Sequence, residues 1–367
     1  MVDFRGKFVL APMVRVGELP TRLLALRHGA DLVWGPETID KKILQCERVE
    51  NRKLGTIDFL SQGGSTKVPG VTNLVFRIYP PAEKGKLIFQ MGTANAELAV
   101  QAAKIVVNDV SGIDVNAGCP KHFSIHSGMG AALLSTPLLL EEILTRLVTE
   151  VGRPNGKPIS VKIRVLENEQ KTIELVERLV KTGISNLTVH CRTKKMRNRE
   201  APIRDYLEAI LERCRSNKVS LVINGGIKNR NDFTALQEKY GMDVGGMVAS
   251  EAELNPTCFR KVPLPWREVC REFLEFADRF ANWKGNSKYC LGRMVPGGDL
   301  IRRDLSSAKD HNDLMKLFEV ATTEGDPSSK ENTPLDVNTD TTSIEDTEET
   351  LTRKRSPSPE SHTAKRR

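Results

Sequence analysis

A recurrence restricts the fold more than any other feature. Eight short apolar, β-branched segments are spaced along the chain at residues 8–11, 31–34, 86–90, 112–116, 158–164, 186–190, 219–224 and 243–249. Amphipathic stretches at 19–26, 96–107, 137–148, 172–180, 206–214 and 231–240 fill most of the intervals. Strands joined through intervening helices run parallel and must be covered on their outer face, so this alternation predicts an α/β fold. Eight units predict a (β/α)8 TIM barrel over residues 1–260. No Gly-x-Gly-x-x-Gly follows the first segment, which argues against a doubly wound dinucleotide-binding sheet.

Two stretches leave the repeat. Residues 40–85 carry Gly63-Gly64-Ser65, Pro69-Gly70 and Pro80-Pro81 around a strand-like run at 74–79, which predicts excursion loops with a small hairpin above the barrel mouth. Residues 261–320 predict a small α-helical domain, with helices from Trp266, through Lys288-Tyr289-Cys290-Leu291, and over 308–320. One face of it carries Arg271, Arg279, Lys284, Lys288 and Arg293 with Trp283 and Tyr289 between them, a pattern suited to an RNA backbone. Residues 321–367 have no aromatic residue and are rich in Thr, Ser, Pro and Glu, so a disordered C-terminal tail is expected. It closes on Arg353-Lys354-Arg355 and Lys365-Arg366-Arg367, spaced like a two-cluster nuclear import signal; a general polyanion-binding tail fits the same residues.

The formal net charge is +8, and the 49 residues after Phe318 hold 11 acidic against 7 basic ones, which leaves about +12 on residues 1–318. That excess suits a polyanionic partner, nucleic acid rather than membrane, because no apolar run approaches the roughly 18 residues of a spanning helix. A solvated basic surface would carry the same charge. The seven cysteines are scattered, with no Cys-x-x-Cys and no zinc-like cluster, so no metal is expected and a reducing compartment is. With no charged-then-apolar leader pattern, the expected location is cytoplasmic and/or nuclear. A monomer is expected.

The chemistry concentrates where barrel strands end. The fourth segment runs through Asp114, Val115 and Asn116 into a turn built on Gly118 and Pro120, which presents Cys119 in a loop. Other ends supply Pro12, Met13 and Val14; Gln90; Lys162 and Arg164; His190, Cys191 and Arg192; Asn224, Gly225 and Gly226; and Ala249 and Ser250. Gly225-Gly226 and the Ala249-Ser250 turn are expected to expose backbone N–H groups at helix N-termini, a phosphate site. Gln90 can pair with a ring edge, Lys162 and His190 can place positive charge at a ring, and Met13 can contact a flat face. Flavin mononucleotide (FMN) meets all of these needs.

The residues Ala-Pro-Met-Val at 11–14, Gln-Met-Gly at 90–92, Asp-Val-Asn-x-Gly-Cys-Pro-Lys at 114–121, Gly-Met-Gly-Ala-Ala-Leu-Leu at 128–134, Val-Lys-Ile-Arg at 161–164 and Asn-Gly-Gly at 224–226 resemble the tRNA-dihydrouridine synthases. Val14-Arg15-Val16-Gly17, 23–26 and Gly29-Ala30-Asp31 resemble most closely the eukaryotic class acting on uridine 20 of the D-loop. The resemblance implies hydride from NADPH or NADH, passed through the flavin to C6 of the uracil, with a cysteine at Cys119 protonating C5. A thiol is mostly protonated at neutral pH yet acidic enough to give its proton to a carbanion. The implied tRNA partner makes Asn116, Arg164 and the stripe Arg192, Lys194, Lys195, Arg197 and Arg199 candidates for positioning it. Two positions depart from the family pattern. Cys191 stands where a small residue is usual, and Ala249-Ser250 where Ala-Arg or Gly-Arg is usual. A flavin barrel of the dihydroorotate dehydrogenase type, acting on a small pyrimidine, is an alternative that leaves the basic body unexplained. A tRNA-binding protein without turnover is another.

Overall fold

The computed structural model describes residues 2–62 and 72–318. The expected tail, 321–367, lies outside the described residues. Among the described residues twelve strands are formed: β1 (Phe8–Leu10), β2 (Leu32–Trp34), β3 (Thr38–Ile39), β4 (Cys46–Asn51), β5 (Thr56–Gln62), β6 (Thr72–Ile78), β7 (Leu87–Gly92), β8 (Gly112–Ala117), β9 (Ile159–Arg164), β10 (Asn186–His190), β11 (Ser220–Asn224) and β12 (Gly245–Val248). Eight of these, all parallel, pair in the order β2-β1-β12-β11-β10-β9-β8-β7, and β2 pairs back onto β7. The sheet is therefore a closed eight-stranded barrel, and every segment picked out by the apolar recurrence is one of its staves.

Alternation along each strand sorts side chains into two sets. On β8, β9 and β10, Ile113, Val115, Ala117, Ile159, Val161, Ile163, Leu187, Val189 and Cys191 face outward into the layer shared with the helices. The opposite phase faces the axis. On one side of the barrel this phase is apolar, with Val9, Ala11, Leu32, Trp34, Ile88, Val222 and Met247 packed over Phe4. On the other it is polar: Asp114, Ser160, Thr188 and Asn186 are fully buried, and Asn116, Arg164 and His190 lie above them. The polar half of the interior leads directly to the strand ends where chemistry was expected.

In its described residues, 40–62 and 72–85, the insertion is more ordered than its sequence suggests; Gly63-Gly64-Ser65 and Pro69-Gly70 lie outside them. Instead of loops with a small hairpin, β4, β5 and β6 form a three-stranded antiparallel sheet. The β4 strand escapes sequence reading because Glu47, Arg48 and Glu50 leave it no apolar run. The sheet is anchored by Phe59 and Phe76, both fully buried. Phe76 packs edge-on against Phe89 of β7, with ring centroids 5.3 Å apart. A Cβ at Gly35 would stand 2.7 Å from the Phe76 ring, so only glycine admits it there.

The C-terminal helices Trp266–Arg279, Lys284–Met294, Ile301–Ser307 and His311–Leu317 enclose a second core with Leu19, Leu23 and Leu24 of the helix Leu19–Arg27. The expected helix over 308–320 begins instead at His311, because the Asp310 side chain accepts from Asp313 N at 2.9 Å and caps a new start. The cations of the expected RNA-gripping face also make contacts within the protein, while Arg279, Lys284 and Arg293 remain exposed. Arg271 Nε donates to Phe318 O, Arg279 Nη2 to Tyr79 Oη and Lys288 Nζ to Ser306 O, while Arg293 pairs with Glu253.

A buried ion pair ties these parts together. Arg22 Nε and Glu83 Oε1 lie 2.7 Å apart with both side chains wholly buried. Arg22 also donates to Gly17 O and Arg77 O, and Glu83 Oε2 accepts from Tyr79 N, so neither charge has an unmet need. Removing one partner strands the other charge in a dry interior, which costs about 3–5 kcal/mol. Glu83→Gln is therefore expected to lower the urea midpoint sharply; a midpoint within experimental error of wild type would show that the pair holds nothing together.

Candidate functional site

Two cavities, of about 670 and 580 Å³, open where the barrel strands end, and Pro12, Lys162, Arg164 and His190 form a wall common to both. A hollow of about 900 Å³ lies at the opposite end, beside the beginnings of β11 and β12. Parallel barrels place chemistry where strands end, because the βα-loops there vary freely while the other end stabilises the fold. The two adjoining cavities are therefore the candidate active site.

Its floor is an ionisable network on neighbouring strands. Asp114 of β8 is fully buried; its Oδ1 accepts from Ser160 Oγ at 2.5 Å and its Oδ2 from Gln90 Nε2 at 2.8 Å. Burial raises its pKa to about 6 against those two hydrogen bonds and the nearby Lys162. Lys162 of β9 is lowered to about 8 by burial and by Arg164, with Asp114 opposing. It is thus mostly protonated at neutral pH and can lose its proton cheaply. His190 is pushed to about 2 by burial and by Lys162, Arg164 and Arg192, so it is neutral. Arg192 Nη1 lies 3.3 Å from His190 Nε2, and a guanidinium only donates, so Nε2 carries no hydrogen. This corrects the expectation of a cationic His190: three neighbouring cations exclude a fourth.

The larger cavity ends on Asn224, Gly225, Gly226, Ala249 and Ser250, as expected from sequence. The expected helix N-terminus at the two glycines is absent. Both have positive φ, +107° and +72°, which carries the chain onward so that the helix Arg230–Tyr240 begins later, capped by Asn229. Ser250 opens only a five-residue helix. In place of the side chain missing at Ser250, Arg204 reaches the cavity from the segment after β10. Its Nη2 donates to Gly225 O at 3.1 Å, and its Nε is buried without a hydrogen-bond partner. A buried guanidinium donor left open costs free energy unless a ligand oxygen completes it. Sequence reading missed Arg204, which lies between the basic stripe after β10 and the helix Leu207–Ser216.

Cys119 sits at the wall of the smaller cavity with Pro12, Val14, Gln90, Asn116, Lys162, Arg164 and His190. Its loop is held by an Asx turn in which Asn116 Oδ1 accepts from Gly118 N at 3.0 Å and from Cys119 N at 3.1 Å. Arg164 Nε donates to Gly118 O at 2.8 Å, and Ala131 N to Cys119 O at 2.9 Å. Gly130 allows this last contact, since a Cβ there would stand 2.7 Å from Cys119 O and its φ is +59°. The thiol is half-buried and its pKa is raised, first by burial. It is a protonated acid at neutral pH.

Other expected residues are placed differently. Met13 packs between the two barrel cores instead of facing a cavity. Cys191 points outward, fully buried at about 12, so its departure from the usual small residue does not reach the site. Arg164 and Arg192 belong to the wall rather than to an exposed stripe: Arg164 Nη1 donates to Thr193 O and Arg192 Nε to Glu200 O. Lys194, Lys195, Arg197 and Arg199 are exposed beyond β10, and Arg199 reaches the larger cavity. Sequence reading also missed Glu37, Arg15 and Tyr289, which line the smaller cavity. Arg15 lies 4.1 Å above the Tyr289 ring, so the C-terminal helices complete the wall around Cys119.

This arrangement can be set beside known proteins. The family model described as "Dihydrouridine synthase (Dus)" matches residues 9–296. The chain is 52% identical over 340 residues, 89% of its length and 88% of the relative's, to a Saccharomyces cerevisiae protein named tRNA-dihydrouridine(20) synthase [NAD(P)+]. It is 47% identical to the Schizosaccharomyces pombe protein of the same name, over 90% of this chain and 68% of the relative. It is also 29% identical to a human protein named tRNA-dihydrouridine(20a/20b) synthase [NAD(P)+]-like, over 68% of this chain and 70% of the relative. The match spans the barrel, both cavities and the first two C-terminal helices, and the chain belongs to the dihydrouridine synthase family.

Proposed function

We propose that this chain reduces a uridine of tRNA to 5,6-dihydrouridine, at position 20 as its fungal relatives' names specify, with FMN bound in the larger cavity and NADPH or NADH as reductant. One observation carries the reading: a thiol held protonated on a fixed loop, at the wall of a cavity that adjoins a basic, glycine-floored one. The residues present fit the cofactor. The open Nε of Arg204, the side-chain-free surface of Gly225 and Gly226, and Lys228 suit its phosphate. Lys162 stands in the wall common to both cavities and Gln90 in the smaller one, where a ring would meet Cys119.

When bound, the flavin supplies the hydride that reaches C6 of the uracil. What the chain's own residues contribute is electrostatic and acidic. Electron density pushed toward C5 and O4 meets the ammonium of Lys162 and the guanidinium of Arg164 at the cavity wall. The Cys119 S–H bond breaks, a C5–H bond forms, and the electron pair stays on sulfur. The uridine must leave its stack to enter the cavity, so the surface around the mouth must hold the tRNA backbone. Lys194, Lys195, Arg197 and Arg199 are exposed for that purpose.

The purified chain should form dihydrouridine in unmodified tRNA with consumption of NADPH. Replacing the four exposed cations by Ala or Gln should weaken tRNA binding by roughly 10-fold or more at about 0.1 M salt, and flatten the salt slope by up to about 0.9 per lost phosphate contact. With Arg199, which reaches the larger cavity, left in place, replacing Lys194, Lys195 and Arg197 should leave NADPH oxidation without tRNA unchanged. No dihydrouridine from the wild type would refute the reading, and an unaltered salt slope would move the binding surface elsewhere. Gly130→Ala separates loop geometry from cofactor binding. It should leave the flavin spectrum intact and slow dihydrouridine formation by about 100-fold, the scale of an acid displaced by an ångström. Wild-type turnover in Gly130→Ala would show that the Cys119 loop needs no such fit.

A further inference from the structure

The proton donor sits among cations. Arg15, Lys121, Lys162 and Arg164 line the same cavity as Cys119. Left unopposed, such surroundings draw a thiol toward thiolate, which has no proton to give and is itself a nucleophile. A single carboxylate lines that cavity, Glu37, carried just beyond β2 by Gly35-Pro36. Its Oε1 is buried without a hydrogen-bond partner. It lies against the end of β7, where a Cβ at Gly92 would stand 2.6 Å from that oxygen. Asn116, whose Oδ1 holds the Gly118 and Cys119 amides, lines the same cavity wall as Glu37. Among the described residues Glu37 has no ion-pair partner, and it lines the same cavity as the group most sensitive to charge.

We propose that Glu37 is a positioning residue for the proton donor: its negative charge, set in the cavity wall among four cations, keeps Cys119 a thiol. The proposal rests on the reading of Cys119 as the acid. Burial raises Glu37 to about 6, so above that pH it is charged, and its charge adds to burial in raising Cys119. The groups facing Cys119 from every side are Lys121 and Ser124 of its own loop region, Asn116 of β8, Lys162 and Arg164 of β9, neutral His190 of β10, and Arg15 with Tyr289. Among the charged ones only Glu37 opposes ionisation. Across the pH range in which the thiol titrates, Glu37 remains ionised, so its removal shifts the thiol midpoint downward.

Peptide-resolved iodoacetamide alkylation of the full chain tests this without turnover, because the thiolate reacts. Half-buried Cys46 is an internal reference, and the five buried cysteines report unfolding. Glu37→Gln should move the Cys119 midpoint down by about one pH unit, making alkylation roughly 10-fold faster at about pH 8. The high-pH plateau and the Cys46 rate should stay put, and Glu37→Asp should keep the wild-type midpoint. An unmoved midpoint in Glu37→Gln, an equal shift in Glu37→Asp, or a change of plateau alone would overturn the proposal. If Glu37→Gln exposes the buried cysteines, Glu37→Ala takes its place: a Cys119 midpoint below the wild-type one supports the proposal and an unmoved midpoint contradicts it. Full dihydrouridine formation by Cys119→Ala would remove the donor role while leaving this titration standing, so the two failures are distinct.

Discussion

The site depends on a carboxylate buried where no water reaches it. Asp114 is fully enclosed in the barrel, and a lone charge in such a place costs several kcal/mol. It is tolerated because the two adjacent strands bring Ser160 Oγ and Gln90 Nε2 to its oxygens and Lys162 to its field. Parallel pairing fixes that meeting: Gln90 is in register with Asp114, and Asp114 with Ser160. One layer higher the same register places Asn116 beside Lys162. The floor that satisfies the acid therefore also aims the Asx turn that presents Cys119. An error in strand register would lose the buried acid's partners and the thiol's position together.

Closure of the site comes from outside the barrel. The three-stranded insertion wedges Phe76 into the space over Gly35, and Arg77 bridges from Asp58 to the carbonyl of Phe280. The C-terminal helices are thereby held against the barrel. Asn286 Nδ2 donates to Arg15 O at 2.5 Å, in a residue whose φ of +71° side chains rarely adopt. That anchored turn brings Arg15 over Tyr289 at the Cys119 cavity. Arg271, Arg279, Lys288 and Arg293, cations of the expected RNA-gripping face, also tie these helices to their neighbours.

Much of this was legible in the sequence, and the losses have physical causes. Every barrel strand was visible because the phase packed against the helices is apolar and mostly β-branched, even where the axis-facing phase of β8, β9 and β10 is polar. The Cys119 loop was visible because Asn116, Gly118 and Pro120 carry turn chemistry at fixed spacing. Strand β4 was not, since its alternating Glu and Arg side chains face solvent. Glu37 was missed although Gly35-Pro36-Glu37 ends the second strand with the same polar signal as the other staves. Arg204 and Tyr289 carried no such signal. They reach the cavities from a loop and from a distant helix, and only tertiary packing decides that. The charge of His190 was misjudged for a similar reason, because three cations converge on it from different strands.

The most direct test of the central claim, that Cys119 is the acid, compares two activities of one variant. Oxidation of NADPH in the absence of tRNA needs no proton at uracil C5, whereas dihydrouridine formation does. Cys119→Ala should keep the first at close to the wild-type rate and bind tRNA normally. Its dihydrouridine formation should fall by roughly 10²- to 10⁴-fold, the loss expected for a positioned general acid. Dihydrouridine formed by Cys119→Ala at the wild-type rate would reduce the thiol to a structural residue of its loop and contradict the account.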